Sequence, residues 1–379
     1  MSKIGLNDLS AIYVGSAEVG RAYLGNSVVY EKASSTPDYL VIKAIEPSTI
    51  GLSKQASNHV IEYSYDGVSW ATYYSAGTEI SLASNEQVCF RGMQNANNTD
   101  SDYTQFAISG NVAISGKIQA FVLSNNPDYV DWNRSYSYYK LFAGCAALTD
   151  ASKLVFEPSS RVSDFGSDGL NKCESMFEGC VNLVHSPKNI FYKTIRPNML
   201  SHMFEGCTSL VDAPTLHAVR FSGTGNINGM YRMFAGCTSL VSVPSYTIVS
   251  DIAAYGNRGM VEMFRGCSSL EYIPWTILGG RNEWYQNMFK DCVSLKESPL
   301  LLFTDGGPYN GFVGAFSGCE SLSKITCLGN NQGSAQQNWR DWVVGVAASG
   351  TFYKHPDAVW STGTSGIPTG WTVQDYTEP

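Results

Sequence analysis

Met203-Phe204-Glu205-Gly206-Cys207-Thr208-Ser209-Leu210 decides how the chain folds, because it is one of seven related copies. The others are Phe142 to Leu148, Met176 to Leu183, Met233 to Leu240, Met263 to Leu270, Met288 to Leu295 and Ala315 to Leu322. Their cysteines are Cys145, Cys180, Cys207, Cys237, Cys267, Cys292 and Cys319, so the step varies from 25 to 35 residues. Self-similarity at such a period marks stacked repeats, in which each unit buries its apolar face on its neighbours.

Within each copy the Met, Phe, Cys and Leu read as core. The Gly after Phe-x suits a helix or 3-10 end at positive φ, and Asp291 replaces it in the sixth copy. Pro187, Pro214, Pro244, Pro274 and Pro299 each follow their Cys by seven residues. The short run between Leu and Pro, such as Leu240-Val241-Ser242-Val243-Pro244, is the strand candidate. Strands on one face and short helices on the other predict a curved leucine-rich-repeat solenoid over 125–334. The seven repeat cysteines predict a ladder of buried free thiols, although disulfides along such a ladder are geometrically possible.

The flanking chain reads differently. Tyr13 to Val19 and Tyr23 to Tyr30 each show strand, turn, strand, giving a β-hairpin docking module over 1–30. Two such hairpins bury no adequate core, so they call for a partner surface, either another copy or a larger assembly. Residues 31–37 read as a linker. Seven short strands between Tyr39 and Ser115 predict an Ig-like β-sandwich over 38–124. Residues 335–379, with Trp339, Trp342, Trp360 and Trp371, read as a C-terminal cap. The predicted class is therefore α+β.

Composition narrows function. The chain has 379 residues, 44% hydrophobic and 15% charged, with a net charge of −8. That balance argues against nucleic acid, which needs clustered Lys and Arg. No apolar run is long enough for a membrane span, and Met1 to Asp8 does not read as a secretory signal peptide. The oxygen-rich run Asn95 to Asp102 is read as a solvated turn rather than a calcium loop. His59, His185, His202, His217 and His355 fall in no catalytic or metal motif. No catalytic, cofactor or metal residue is assigned. The candidate contacts are the variable positions Arg220, Tyr246, Tyr272, Trp275, Trp284 and Tyr285, with Tyr13, Tyr23 and Tyr30 on the N-terminal module.

The Met-Phe-x-Gly-Cys-Thr-Ser-Leu repeat with its trailing Pro resembles the BspA-like leucine-rich repeats. The tail Asn338-Trp339, Gly350-Thr351-Phe352-Tyr353-Lys354 and Gly366-Ile367-Pro368-Thr369-Gly370-Trp371 is similar to the segment that closes such repeats in gut Bacteroidales proteins. The strand region around Glu62 to Gly67 and Phe90-Arg91-Gly92 is similar to the domain that often precedes them. The module at 1–30 is similar to short end segments of virion proteins in phages of those bacteria. The resemblance implies adhesion and partner binding without catalysis. The expected role is a virion fibre-type protein, forming a homo-oligomer, docked to other virion proteins through residues 1–30 and binding host-surface glycan or protein through its repeats. A bacterial cell-surface adhesin and a glycan depolymerase are the alternatives.

Overall fold

The computed structural model describes residues 13–14, 17–18, 21–24, 27–31, 37–57, 59–74, 77–92, 99–121, 138–156, 173–191, 198–217, 225–226, 228–245, 247–249, 256–257, 259–278, 283–303, 310–329 and 333–377. The chain forms two compact units, Met1–Pro37 and Asp38–Pro379. In the first, β1 (Tyr13–Val14) pairs antiparallel with β2 (Ala17–Glu18), and β3 (Arg21–Leu24) with β4 (Ser27–Glu31).

The second unit opens with eight strands: β5 (Leu40–Ala44), β6 (Ser48–Lys54), β7 (Ile61–Ser64), β8 (Ala71–Tyr73), β9 (Ile80–Leu82), β10 (Gln87–Gly92), β11 (Gln105–Ser109) and β12 (Val112–Lys117). One sheet has the order β12-β5-β10-β7-β8, and β11-β6-β9 form another. Leu40, Ile42, Phe90 and Ile114 from the first share a core with Ile50, Leu52, Ile80 and Phe106 from the second. β6 has no counterpart in the sequence reading, because Gly51 interrupts its alternation. A side chain there would lie 3.2 Å from the Thr78 carbonyl, a tight contact that glycine avoids.

His59 lies in this core. One ring nitrogen is 2.8 Å from the Thr104 hydroxyl and the other 2.9 Å from the Phe121 carbonyl. Burial lowers its pKa to about 4 against the opposing Phe121 bond. The folded state therefore holds a neutral imidazole while the unfolded chain takes up a proton below about pH 6.5.

No break separates this region from the repeats. β12 pairs parallel with β13 (Leu148–Val155). Phe106 stacks on Phe142, and the stack continues through Phe177, Phe204, Phe234, Phe264, Phe289 and Phe316. Adjacent centroids lie 5.1 to 5.7 Å apart with ring planes within 10°. The remaining strands are β14 (Asn189–Phe191), β15 (Thr215–His217), β16 (Gly225–Asn226), β17 (Thr247–Val249), β18 (Gly256–Asn257), β19 (Thr276–Leu278), β20 (Leu300–Leu302), β21 (Lys324–Cys327), β22 (Thr351–Lys354) and β23 (Thr372–Asp375). β14 pairs with β15 and β16 with β18, while β17-β19-β20-β21-β22-β23 form an all-parallel sheet.

The α+β expectation is overturned, and with it the leucine-rich-repeat solenoid of strands and short helices. The fold is nearly all β with several sheets, and among the described residues there is no α-helix, only two 3-10 segments at Ile118–Phe121 and Gly333–Trp339. The backbone hydrogen bonds explain this. Around Met203, alternate N–H groups donate to the next copy: Leu200 to Gly229, His202 to Tyr231, Phe204 to Met233 and Gly206 to Ala235. The groups between them close three-residue turns within the copy, as from Glu205 to His202 and Cys207 to Phe204. No donor is left for an α-helical ladder. Left-handed residues recur every fourth position, at Asn198, His202 and Gly206, which no α-helix accommodates. The strands also lie elsewhere than expected. They follow the prolines, as β15 follows Pro214 and β20 follows Pro299, because Pro has no N–H to give a ladder.

All ten cysteines are free and buried. Each repeat thiol from Cys180 to Cys319 donates to the Phe carbonyl of the preceding copy, as Cys237 does to Phe204 at 3.1 Å. Burial pushes the thiols of Cys207 and Cys267 up to about 12. The segment expected to be only a cap begins as one more turn. Phe316 N donates to Trp342 O and Gly318 N to Val344 O, and Gly345 has φ +73°.

Two predictions follow from these cores. Gly236 has φ +74°, and an added Cβ would lie 3.8 Å from Gly206, in ordinary contact. Gly236→Ala should thus cost about 1–2 kcal/mol through backbone conformation alone, with Gly236→Asn costing less; urea denaturation measures both. For His59, stability should fall by roughly 3 kcal/mol as pH drops from 6.5 to 4. Denaturation of His59→Gln across that range should lack this component.

Candidate binding groove

The outer face of the parallel sheet carries a broad concavity. Along β19 to β22, Ile277, Leu301, Ile325 and Phe352 are buried, so the residues between them point outward. Strand register brings Thr276 beside Leu300, Thr326 beside Tyr353, and Tyr353 beside Gln374. Leu301 pairs with Cys327, which sets Leu300 beside Thr326. One row thus crosses five strands, spanning roughly 19 Å at the usual strand spacing. It floors a groove of about 530 Å³.

A second column borders this row, two residues beyond each repeat Leu. It runs Tyr272, Glu297, Lys324, and parallel bridges join Ser242 to Tyr272 and Glu297 to Lys324. Tyr272 is 51% exposed. The Lys324 ammonium sits 3.0 Å from Glu297, and that bond is the main reason its pKa is raised; Tyr353 and Tyr272 add to the effect. Asp375 also lines the groove and is paired with Lys354 at 2.9 Å.

The candidate contacts separate on this frame. Tyr272 lines the groove. Trp275 contributes to its wall but is only 3% exposed, with its indole N–H donating to the Pro244 carbonyl at 2.8 Å. Trp284 and Tyr285 are corrected to core residues, both fully buried. Tyr285 stacks on Phe312 at 4.9 Å. They occupy the repeat's inward lead position, which the Met260 amide marks by donating to Trp284 O. Arg220 and Tyr246 lie outside the described residues. Tyr13, Tyr23 and Tyr30 lie on β1, β3 and β4. The sequence reading missed Lys324, Glu297, Tyr353 and Gln374. Their common position two residues after the repeat Leu was the available signal for the first two.

Charged groups also line the turns. Glu205 binds Arg232 at 2.7 Å and contacts His202, and Glu262 binds Arg265 at 3.1 Å. Glu174 is less well served, since its Oε2 is buried without a hydrogen-bond partner among the described residues. Burial raises its pKa to about 7; His202 and Lys140 oppose this, and Glu178 reinforces it. Among the described residues no cluster of three potential metal ligands occurs, and no helix is long and apolar enough to cross a membrane. No family model, curated protein or solved structure matches this chain.

Glu174 yields a prediction of opposite sign to that of His59. Its folded pKa is raised, so the unfolded chain ionises first as pH climbs from 4.5 towards 7, and the penalty is complete above 7. Glu174→Gln should raise the melting temperature at pH 8 and leave it nearly unchanged at pH 4, as calorimetry at both pH values would register.

Proposed function

We propose that the chain is a non-catalytic component of a bacteriophage particle, of fibre type, that docks through its N-terminal hairpins and binds host-surface glycan or protein. The observation that carries the binding role is the groove across β19 to β23. It offers aromatic and polar side chains on a closely packed sheet, and such preorganised surfaces favour recognition because little ordering entropy is lost on contact. Its carboxylates are engaged by ammonium groups, Glu297 by Lys324 and Asp375 by Lys354. A glycan-cleaving enzyme needs a protonated carboxyl facing a second carboxylate, and these pairs favour binding over cleavage.

The particle assignment rests on the resemblance of residues 1–30 to virion end segments. The pairing of that unit into two short hairpins supports it, because units so small gain stability from a partner surface. Mass spectrometry of purified particles should detect the full chain, and deletion of residues 1–37 should remove it from particles while host-cell adhesion of the purified protein persists. Particles that retain the truncated chain would contradict docking through the hairpins. Loss of adhesion in both forms would contradict the binding role.

A further inference from the structure

We infer that the groove on the outer face of β19 to β23 is a binding site for an uncharged glycan chain, gripped chiefly by Tyr272 and Tyr353. This rests on the binding role proposed above and names the ligand for it.

The groove's electrostatics select the class. Lys324 is the cation on its lining, and it is neutralised by Glu297 at 3.0 Å. Asp375 is neutralised by Lys354 at 2.9 Å. Among the described lining residues, no cation is left to meet a sulfate, a uronate or a phosphodiester. An anionic chain would have to compete with a carboxylate already in place, and desolvating that pair brings no return. Nucleic acids and acidic glycans are therefore disfavoured by the same two contacts.

The floor excludes other neutral occupants. A peptide added as a strand needs an unpaired sheet edge and would lie along the end strand β23, not across the row, because β19 to β22 are interior strands with both edges paired. A lipid or apolar segment needs a continuous apolar floor, yet Leu300 stands between Thr276 and Thr326, and Gln374 follows Tyr353. An alternation of ring, hydroxyl and amide suits a pyranose, which has apolar C–H faces and a rim of hydroxyls. Tyrosine rings cover the C–H faces while their hydroxyls stay wet. Glu297, Gln374 and the threonines then accept from or donate to sugar hydroxyls. The row runs across the strands, so a linear chain would contact several side chains in succession.

The full chain would be titrated by calorimetry with neutral hexasaccharides (gluco-, manno-, xylo- and galacto-oligosaccharides) and with an oligogalacturonate and heparin. At least one neutral hexasaccharide should bind. Tyr353→Ala and Tyr272→Ala should each weaken it tenfold or more, with melting temperatures checked in parallel. Asp212→Ala, on the same face but on an earlier repeat, should leave affinity unchanged. Binding by acidic oligosaccharides alone, by none of the panel, or with equal affinity in Tyr353→Ala would overturn the inference. If host-cell adhesion survives in that last variant, the glycan site falls while the general binding role stands. Loss of adhesion by the unaltered protein removes both.

Discussion

Each repeat Phe carbonyl from Phe142 to Phe289 accepts two hydrogen bonds, one from the Cys amide three residues on and one from the Cys thiol of the following copy. The stack depends on this junction. A buried carbonyl with one partner still presents a second lone pair, and leaving polar capacity unmet in the core costs stability. The thiol meets it with a small, largely apolar group that tolerates complete burial. A larger donor would force the copies apart and break the Phe stack. A serine of similar size would carry a more strongly hydrated hydroxyl into the same dry site. The cysteine is thus a structural donor, and its raised pKa keeps it in the protonated form that donation requires.

Fixing that junction fixes the rows on either side of it. The ring column begins with Phe106, on a strand of the preceding sheets, and ends against Trp342. The repeats therefore take their register from β11 and pass it to the closing segment. The strand after each proline inherits the same register, and so does the outward row of Thr276, Leu300, Thr326, Tyr353 and Gln374. A surface held by a continuous aromatic core deforms little, because interiors of this density resist compression.

The repeat itself was legible: Met, Phe, Cys and Leu recur in the sequence and are buried in the structure. The hairpins at the N-terminus and seven of the eight strands of the preceding sheets follow from alternation and turn residues. The path of the chain within a copy was not legible. A Gly after Phe-x signals a positive φ but not whether it ends a helix or lies within a chain of turns. The deciding residues precede Met, where His202, Arg232 and Glu262 adopt left-handed conformations. Arg and Glu do not advertise that geometry, and His does so only weakly. The carbonyls that accept their N–H groups, those of Tyr231, Val261 and Gln286, belong to the next copy. The site was partly legible for a related reason. Aromatic residues at variable positions were the correct class, but Trp284 and Tyr285 fall in the inward lead and Tyr272 on the outward column. Only the phase relative to the repeat Leu separates them.

The groove lies where the repeat stops being exact. β19 to β21 follow repeats, but β22 and β23 belong to the closing segment, in which Trp342 takes the Met position and no Cys follows Gly345. A terminal turn has one neighbour instead of two, so it needs larger side chains to cover the last Phe, and Trp339, Trp342 and Trp360 supply them in mutual contact. Relief from exact repetition frees the outer face of this end to carry Tyr353, Gln374 and Asp375, residues with no counterpart on earlier turns. Strict repetition of the buried residues builds the platform, and the outward residues, which vary along β19 to β21 and more so on β22 and β23, make one turn of the groove distinguishable from the next.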